Sequence, residues 1–161
     1  MADERAHRAL VRVQGLLGPE SVFTAVLGGG RSYGDRVRLV PWGDERSPAK
    51  APEPPWPGRL PAPAPATVLA EPAPMTVWTA DGVPLTVDAR LAMTGPPASV
   101  RVGREPPVGV TVWAGPWPAE ERWWAPEEAS QLVRFQLCLA DGTTLLVALQ
   151  EERWTVEAIY D

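Results

Sequence analysis

Val133-Arg-Phe-Gln-Leu-Cys-Leu-Ala-Asp-Gly-Thr-Thr-Leu-Leu-Val-Ala-Leu-Gln-Glu-Glu-Arg-Trp-Thr-Val-Glu-Ala-Ile-Tyr160 alternates apolar and polar residues in three successive runs. Val133, Phe135, Leu137 and Leu139 point to one face, and Leu145, Val147 and Leu149 answer them. Trp154, Val156, Ala158 and Tyr160 complete the set at the two-residue period of a strand. Asp141-Gly142 is a hairpin turn signal between the first two runs, and Glu151-Glu152 joins the second pair. The segment therefore reads as a three-stranded antiparallel meander.

The β pattern extends upstream. Residues 99–103 and 108–113 are strand candidates, interrupted by Pro106-Pro107. Residues 75–80 and 84–89 flank Asp81-Gly82, and residues 67–70 form a shorter candidate. About seven short strands with spaced turn signals predict a small barrel or strongly bent sheet. One helical turn is expected at residues 127–130, after Pro126.

The first residues differ. Ala6, Ala9, Leu10, Val13, Leu16 and Leu17 recur at steps of three and four, predicting an amphipathic helix over residues 3–17 that stops at Gly18-Pro19. Its other face carries Arg5, Arg8 and Arg12, a solvated stripe. Two strand candidates follow, residues 22–27 and 36–41, separated by Gly28-Gly-Gly-Arg-Ser-Tyr-Gly34. No Gly-Lys-Ser/Thr ending and no following helix is present, so this loop reads as a flexible hairpin connection and not a phosphate cradle. Residues 48–74 then hold ten prolines. Such a stretch favours extended polyproline geometry and is excluded from a sheet interior. Trp56 favours a strap over a free linker. The expected organisation is a helix and short hairpin (1–47), a proline-rich linker or strap (48–74) and a β-rich domain (75–161). The fold class is mainly β, with α+β character from the single helix.

Charge narrows the partners. The chain has a formal net charge of −5, and residues 120–161 hold nine carboxylates against three arginines. An acidic end repels DNA and suits a protein partner. The lone Cys138 excludes an internal disulfide and reads as a buried structural thiol in a reducing compartment. No signal peptide and no long apolar run is evident, so a soluble cytoplasmic protein is expected.

Catalytic chemistry is thinly represented. Glu120-Glu121, Glu127-Glu128 and Glu151-Glu152 are adjacent pairs, which face opposite sides of a strand and serve solubility. His7 is the one histidine and the one imidazole base for any serine, and it lacks neighbours for a metal site. No enzyme activity, cofactor or metal is expected. Tryptophans remain. Four of the eight lie in Trp113-Ala-Gly-Pro-Trp-Pro-Ala-Glu-Glu-Arg-Trp-Trp124, a segment too rich in proline and charge for an ordinary strand. Trp113 and Trp154 read as core. Trp117, Arg122, Trp123 and Trp124 are the candidate partner-binding residues, because Trp and Arg anchor interfaces. A single-stranded DNA module that stacks bases on these rings is the alternative.

Several words of the sequence resemble the C-terminal region of the ImuB family, the Y-family-polymerase-like adaptors of bacterial damage-induced mutagenesis, actinobacterial members above all. They are Val13-Gln-Gly-Leu-Leu-Gly-Pro-Glu20, Arg36-Val-Arg-Leu-Val-Pro-Trp42, Pro55-Trp-Pro-Gly-Arg-Leu-Pro-Ala62, Ala114-Gly-Pro-Trp-Pro-Ala-Glu-Glu-Arg-Trp-Trp124 and Arg153-Trp-Thr-Val-Glu-Ala-Ile-Tyr-Asp161. The resemblance implies the tail domain of a catalytically inactive translesion adaptor, with the polymerase-like regions preceding residue 1. It implies partners as well: an error-prone C-family DNA polymerase, the RecA-like ImuA-type protein and the β sliding clamp, with DNA reached only indirectly. Recruitment to damage would then bring it to the nucleoid. The family's clamp-binding peptide has its nearest match in Gln131-Leu-Val-Arg-Phe135, where Arg134 fills an apolar slot of a strand, so the clamp motif is expected upstream.

Overall fold

Helix α1 spans Ala2–Leu17 and ends where Gly18 adopts φ +98° ahead of Pro19. The computed structural model that shows this describes residues 2–52, 59–121 and 130–160. Two compact units emerge, Met1–Arg59 and Leu60–Asp161, so the division falls inside the proline-rich stretch and not at either of its ends.

In the first unit, β1 (Phe23–Leu27) and β2 (Val37–Pro41) form an antiparallel pair in which Phe23 meets Pro41 and Leu27 meets Val37. The Gln14 side-chain amide donates to the carbonyls of Pro19, at 2.9 Å, and Trp42, at 3.0 Å, tying α1 to the hairpin. The Trp42 indole N–H donates to His7 Nδ1 at 3.3 Å. Residues 28–34, read from the sequence as a flexible loop, are tied down. The Ser32 hydroxyl and Lys50 Nζ both donate to Asp35, each at 2.9 Å, and the Gly29 N–H donates to the Lys50 carbonyl. Glycine is required at position 30, where a Cβ would stand 2.3 Å from that of Asp35.

The second unit is a closed six-stranded antiparallel barrel, ordered β3 (Thr67–Trp78), β4 (Ser99–Val102), β5 (Val108–Glu121), β6 (Ser130–Leu139), β7 (Thr144–Gln150) and β8 (Arg153–Tyr160). Helix plus small sheet plus barrel is the mainly β arrangement that the alternating pattern predicts.

Three local expectations change. Strand β3 is continuous from residue 67, although residues 67–74 belong to the proline-rich stretch. Its pairing with β8 is irregular between Val68 and Ala73, so Pro72 falls where no ladder bond is needed. Residues 84–89 are not a strand; they make only isolated bridges, Trp78 with Pro84 and Val87 with Met93. Strand β5 continues through the tryptophan-proline segment to Glu121. Of the turn expected at 127–130, residues 127–129 lie outside the described residues, and Ser130 opens β6.

Apolar side chains fill the barrel. Val133, Phe135, Leu137, Leu145, Val147, Leu149, Trp154 and Val156 form one buried cluster. Phe135 lies between Trp154 and Trp113, with ring centroids 5.3 and 6.3 Å away. The Trp154 N–H donates to the Leu85 carbonyl at 2.9 Å, so its polar atom is satisfied although the ring is buried. Leu85, only 2% exposed, belongs to the same core cluster. One part of the meander departs from strict alternation. Leu146 pairs with Ala158 but Val147 pairs with Val156, so Glu157 is a bulge in β8. Beyond it Ile159, not Ala158 or Tyr160, packs against the core cluster.

Candidate partner-binding surface

Strands β5 and β6 form a long two-stranded ribbon, paired from Val110 with Leu139 to Glu121 with Ser130. The tryptophans it carries are sorted by one irregularity. Trp113 and Trp117 are four residues apart, so an unbroken strand would put both on one face. The register instead shifts between Ala114, opposite Gln136, and Trp117, opposite Arg134. Trp113 pairs with Leu137 and packs on the core, whereas Trp117 pairs with Arg134 on the outer face. Trp117 is half-buried there.

Gly115 makes this shift possible. It adopts φ +124°, and a Cβ at this position would lie 2.8 Å from the Arg134 carbonyl oxygen and 2.9 Å from Phe135 Cδ1. A side chain would have to move backbone as well as ring. The Gly-Pro pair in the middle of the tryptophan segment is thus the device that turns one indole outward.

The outer face around Trp117 is organised by charge. Arg134 is 4% exposed, an unusual burial for a cation in a barrel wall. Its Nε donates to Glu157 Oε2 at 2.6 Å and its Nη2 to Oε1 at 3.0 Å, a two-pronged pair. Glu157 reaches Arg134 across β7 because it is the bulged residue of β8. Ala148, opposite Arg134 on β7, is small enough for the guanidinium stem to cross it. Ala119, Leu132 and Ala148 form a second buried apolar cluster on this face, beside Trp117 along β5. Of these groups Trp117 and Glu157 are partly exposed, whereas Arg134, Ala119, Leu132 and Ala148 are buried.

The other sequence-chosen residues are distributed as follows. Arg122, Trp123 and Trp124 lie outside the described residues, in the segment joining β5 to β6. Gln131-Leu-Val-Arg-Phe135 is built into β6 with Leu132, Val133 and Phe135 buried, so it cannot dock as an extended peptide while the barrel is folded. Cys138, expected to be buried, is half-buried, and its sulfur accepts a bond from the Thr144 hydroxyl at 3.4 Å. Among the described residues no three His, Cys, Asp or Glu side chains converge in a metal-binding group, and no helix is long and apolar enough to cross a membrane. Sequence reasoning missed the Arg134–Glu157 pair; its signal was a lone arginine inside an apolar strand.

No protein-family model, no curated protein and no solved structure matches the chain.

Proposed function

We propose that this chain is a non-catalytic docking domain of a translesion-synthesis adaptor of the ImuB type. It recruits an error-prone C-family DNA polymerase, the RecA-like ImuA-type protein or both during damage-induced mutagenesis. The observation that carries the reading is the register shift at Gly115-Pro116, which takes Trp117 out of the core face and sets it beside the Arg134–Glu157 pair. A half-exposed indole next to ordered polar groups is the composition of an interface hot spot. Arg122, Trp123 and Trp124 follow β5 directly in the sequence and are the remaining candidates. The acidic balance of residues 120–161 suits a basic protein surface better than a nucleic-acid backbone.

The test compares binding of each partner by the wild-type chain and by Trp117→Ala, Trp123→Ala and Trp124→Ala, with folding checked by circular dichroism. A hot-spot tryptophan loses roughly 30-fold or more in affinity on truncation, about 2 kcal/mol. If all three variants fold and bind as the wild type does, the surface is wrongly assigned. Salt-dependent binding of a single-stranded oligonucleotide, read by fluorescence anisotropy, would favour the base-stacking alternative instead.

A further inference from the structure

A pocket of the barrel opens between the turn after β4 and the turn after β6. A space of about 330 Å³ lies there, walled by Leu69, Val102, Val108 and Leu145. That volume is at the lower end of small-ligand sites, which are typically about 300–1,000 Å³ and mostly apolar with a few placed polar groups. Two charged side chains line it, Glu105 on the first turn and Asp141 on the second, and no basic residue does. Both carboxylates are exposed, while Leu145 in the wall is buried. The Asp141 carboxylate is held in place by the Thr143 N–H, which donates to Oδ1 at 2.9 Å.

We propose that this pocket is a binding site for a small apolar molecule carrying a positive charge. The apolar part displaces water from the wall, where water finds few partners. The cation stays at the rim, partly hydrated, between Glu105 and Asp141. An anionic amphiphile of the same shape would face two carboxylates with no compensating cation. Trp117 is not part of this site, so it stands or falls separately from the docking surface.

Octylammonium, 1-octanol and octanoate share one tail and differ in charge. Each is titrated at neutral pH and low salt into the ¹⁵N-labelled full chain, followed by amide chemical shifts. The expected result is perturbation centred on Val102, Val108 and Leu145, with octylammonium binding about tenfold more tightly than octanoate and 1-octanol between them. Replacing both rim carboxylates, Glu105→Gln with Asp141→Asn, should shrink the octylammonium-to-octanoate ratio to about threefold or less and leave 1-octanol unchanged. These are exposed positions, so the fold should survive. Equal binding of the three probes, a ratio unmoved by the double substitution, shifts centred elsewhere or no binding would each overturn the proposal.

Discussion

Arg134 on β6 and Glu157 on β8 are joined through both nitrogen–oxygen contacts of a fork, 2.6 and 3.0 Å long, across the intervening strand β7. The guanidinium side chain is 5% exposed and the carboxylate 21%, so little water is available to replace either partner. Removing one partner from such a pair leaves a charge without compensation, which typically costs about 3–5 kcal/mol. Glu157→Gln should therefore lower the stability of the barrel by about 3 kcal/mol in chemical denaturation. Arg134→Met combined with Glu157→Leu should cost less than Glu157→Gln alone, because no buried charge remains. Equal or larger loss in the double variant would show that the pair stabilises in its own right.

Gly115→Ala tests the device that turns Trp117 outward. The new methyl meets the Arg134 carbonyl and the Phe135 ring below 3 Å, and φ +124° is unfavourable for any side chain. A loss of about 2–3 kcal/mol is expected, with the assigned indole N–H resonance of Trp117 reporting its changed environment. A neutral outcome would mean that the ribbon does not depend on this register shift.

Trp154→Ala removes the largest ring of the barrel core together with its bond to the Leu85 carbonyl. A cost of about 3–5 kcal/mol is expected from the cavity alone. Hydrogen exchange should also quicken at Leu85, whose own N–H donates to the Val77 carbonyl at 2.9 Å. A loss under about 1 kcal/mol would contradict the packing described.

Acid should loosen the first unit through Asp35. Partial burial raises its pKa, but hydrogen bonds from Lys50 and Ser32 and the Lys50 charge outweigh this, and the net shift is downward. A carboxylate whose folded pKa lies below its unfolded value, about 3.9, contributes stability fully present above that value. The contribution is lost as pH falls through the lower folded pKa. The Gly29 and Gly30 amide resonances should therefore report loosening of the loop below about pH 4, and Asp35→Asn should remove that dependence. An unchanged acid transition in Asp35→Asn would place the cause elsewhere.

The architecture was largely legible because β6 and β8 carry one regular apolar face and turn signals separate the last three strands. Val133, Phe135 and Leu137 alternate with more polar neighbours on β6, whereas β7 is an apolar run buried on both faces, bounded by Asp141-Gly142 and Glu151-Glu152. Helix α1 was equally clear from its three-and-four spacing. The breaks in alternation were not legible. The bulges at Glu157 and Gly115-Pro116 arise from cross-strand register, a property of two strands that neither displays alone. Residues 84–89 resemble a strand because Leu85 and Val87 alternate with polar residues, yet they make only isolated bridges while Leu85 packs into the core cluster. The tryptophan segment looked too interrupted to be a strand, yet Pro116 occupies its irregular stretch and Pro118 pairs in register with Val133. At the candidate site, composition pointed to Trp117, whereas its outward direction and the Arg134–Glu157 pair beside it required the register.

Size-exclusion chromatography with light scattering is the most direct test of the docking proposal. The chain is mixed separately with the ImuA-type protein and with the error-prone polymerase, and each mixture is repeated with Trp117→Ala. A 1:1 complex with at least one partner, weakened by Trp117→Ala, is the predicted result. Elution of the chain apart from both partners would contradict the proposal.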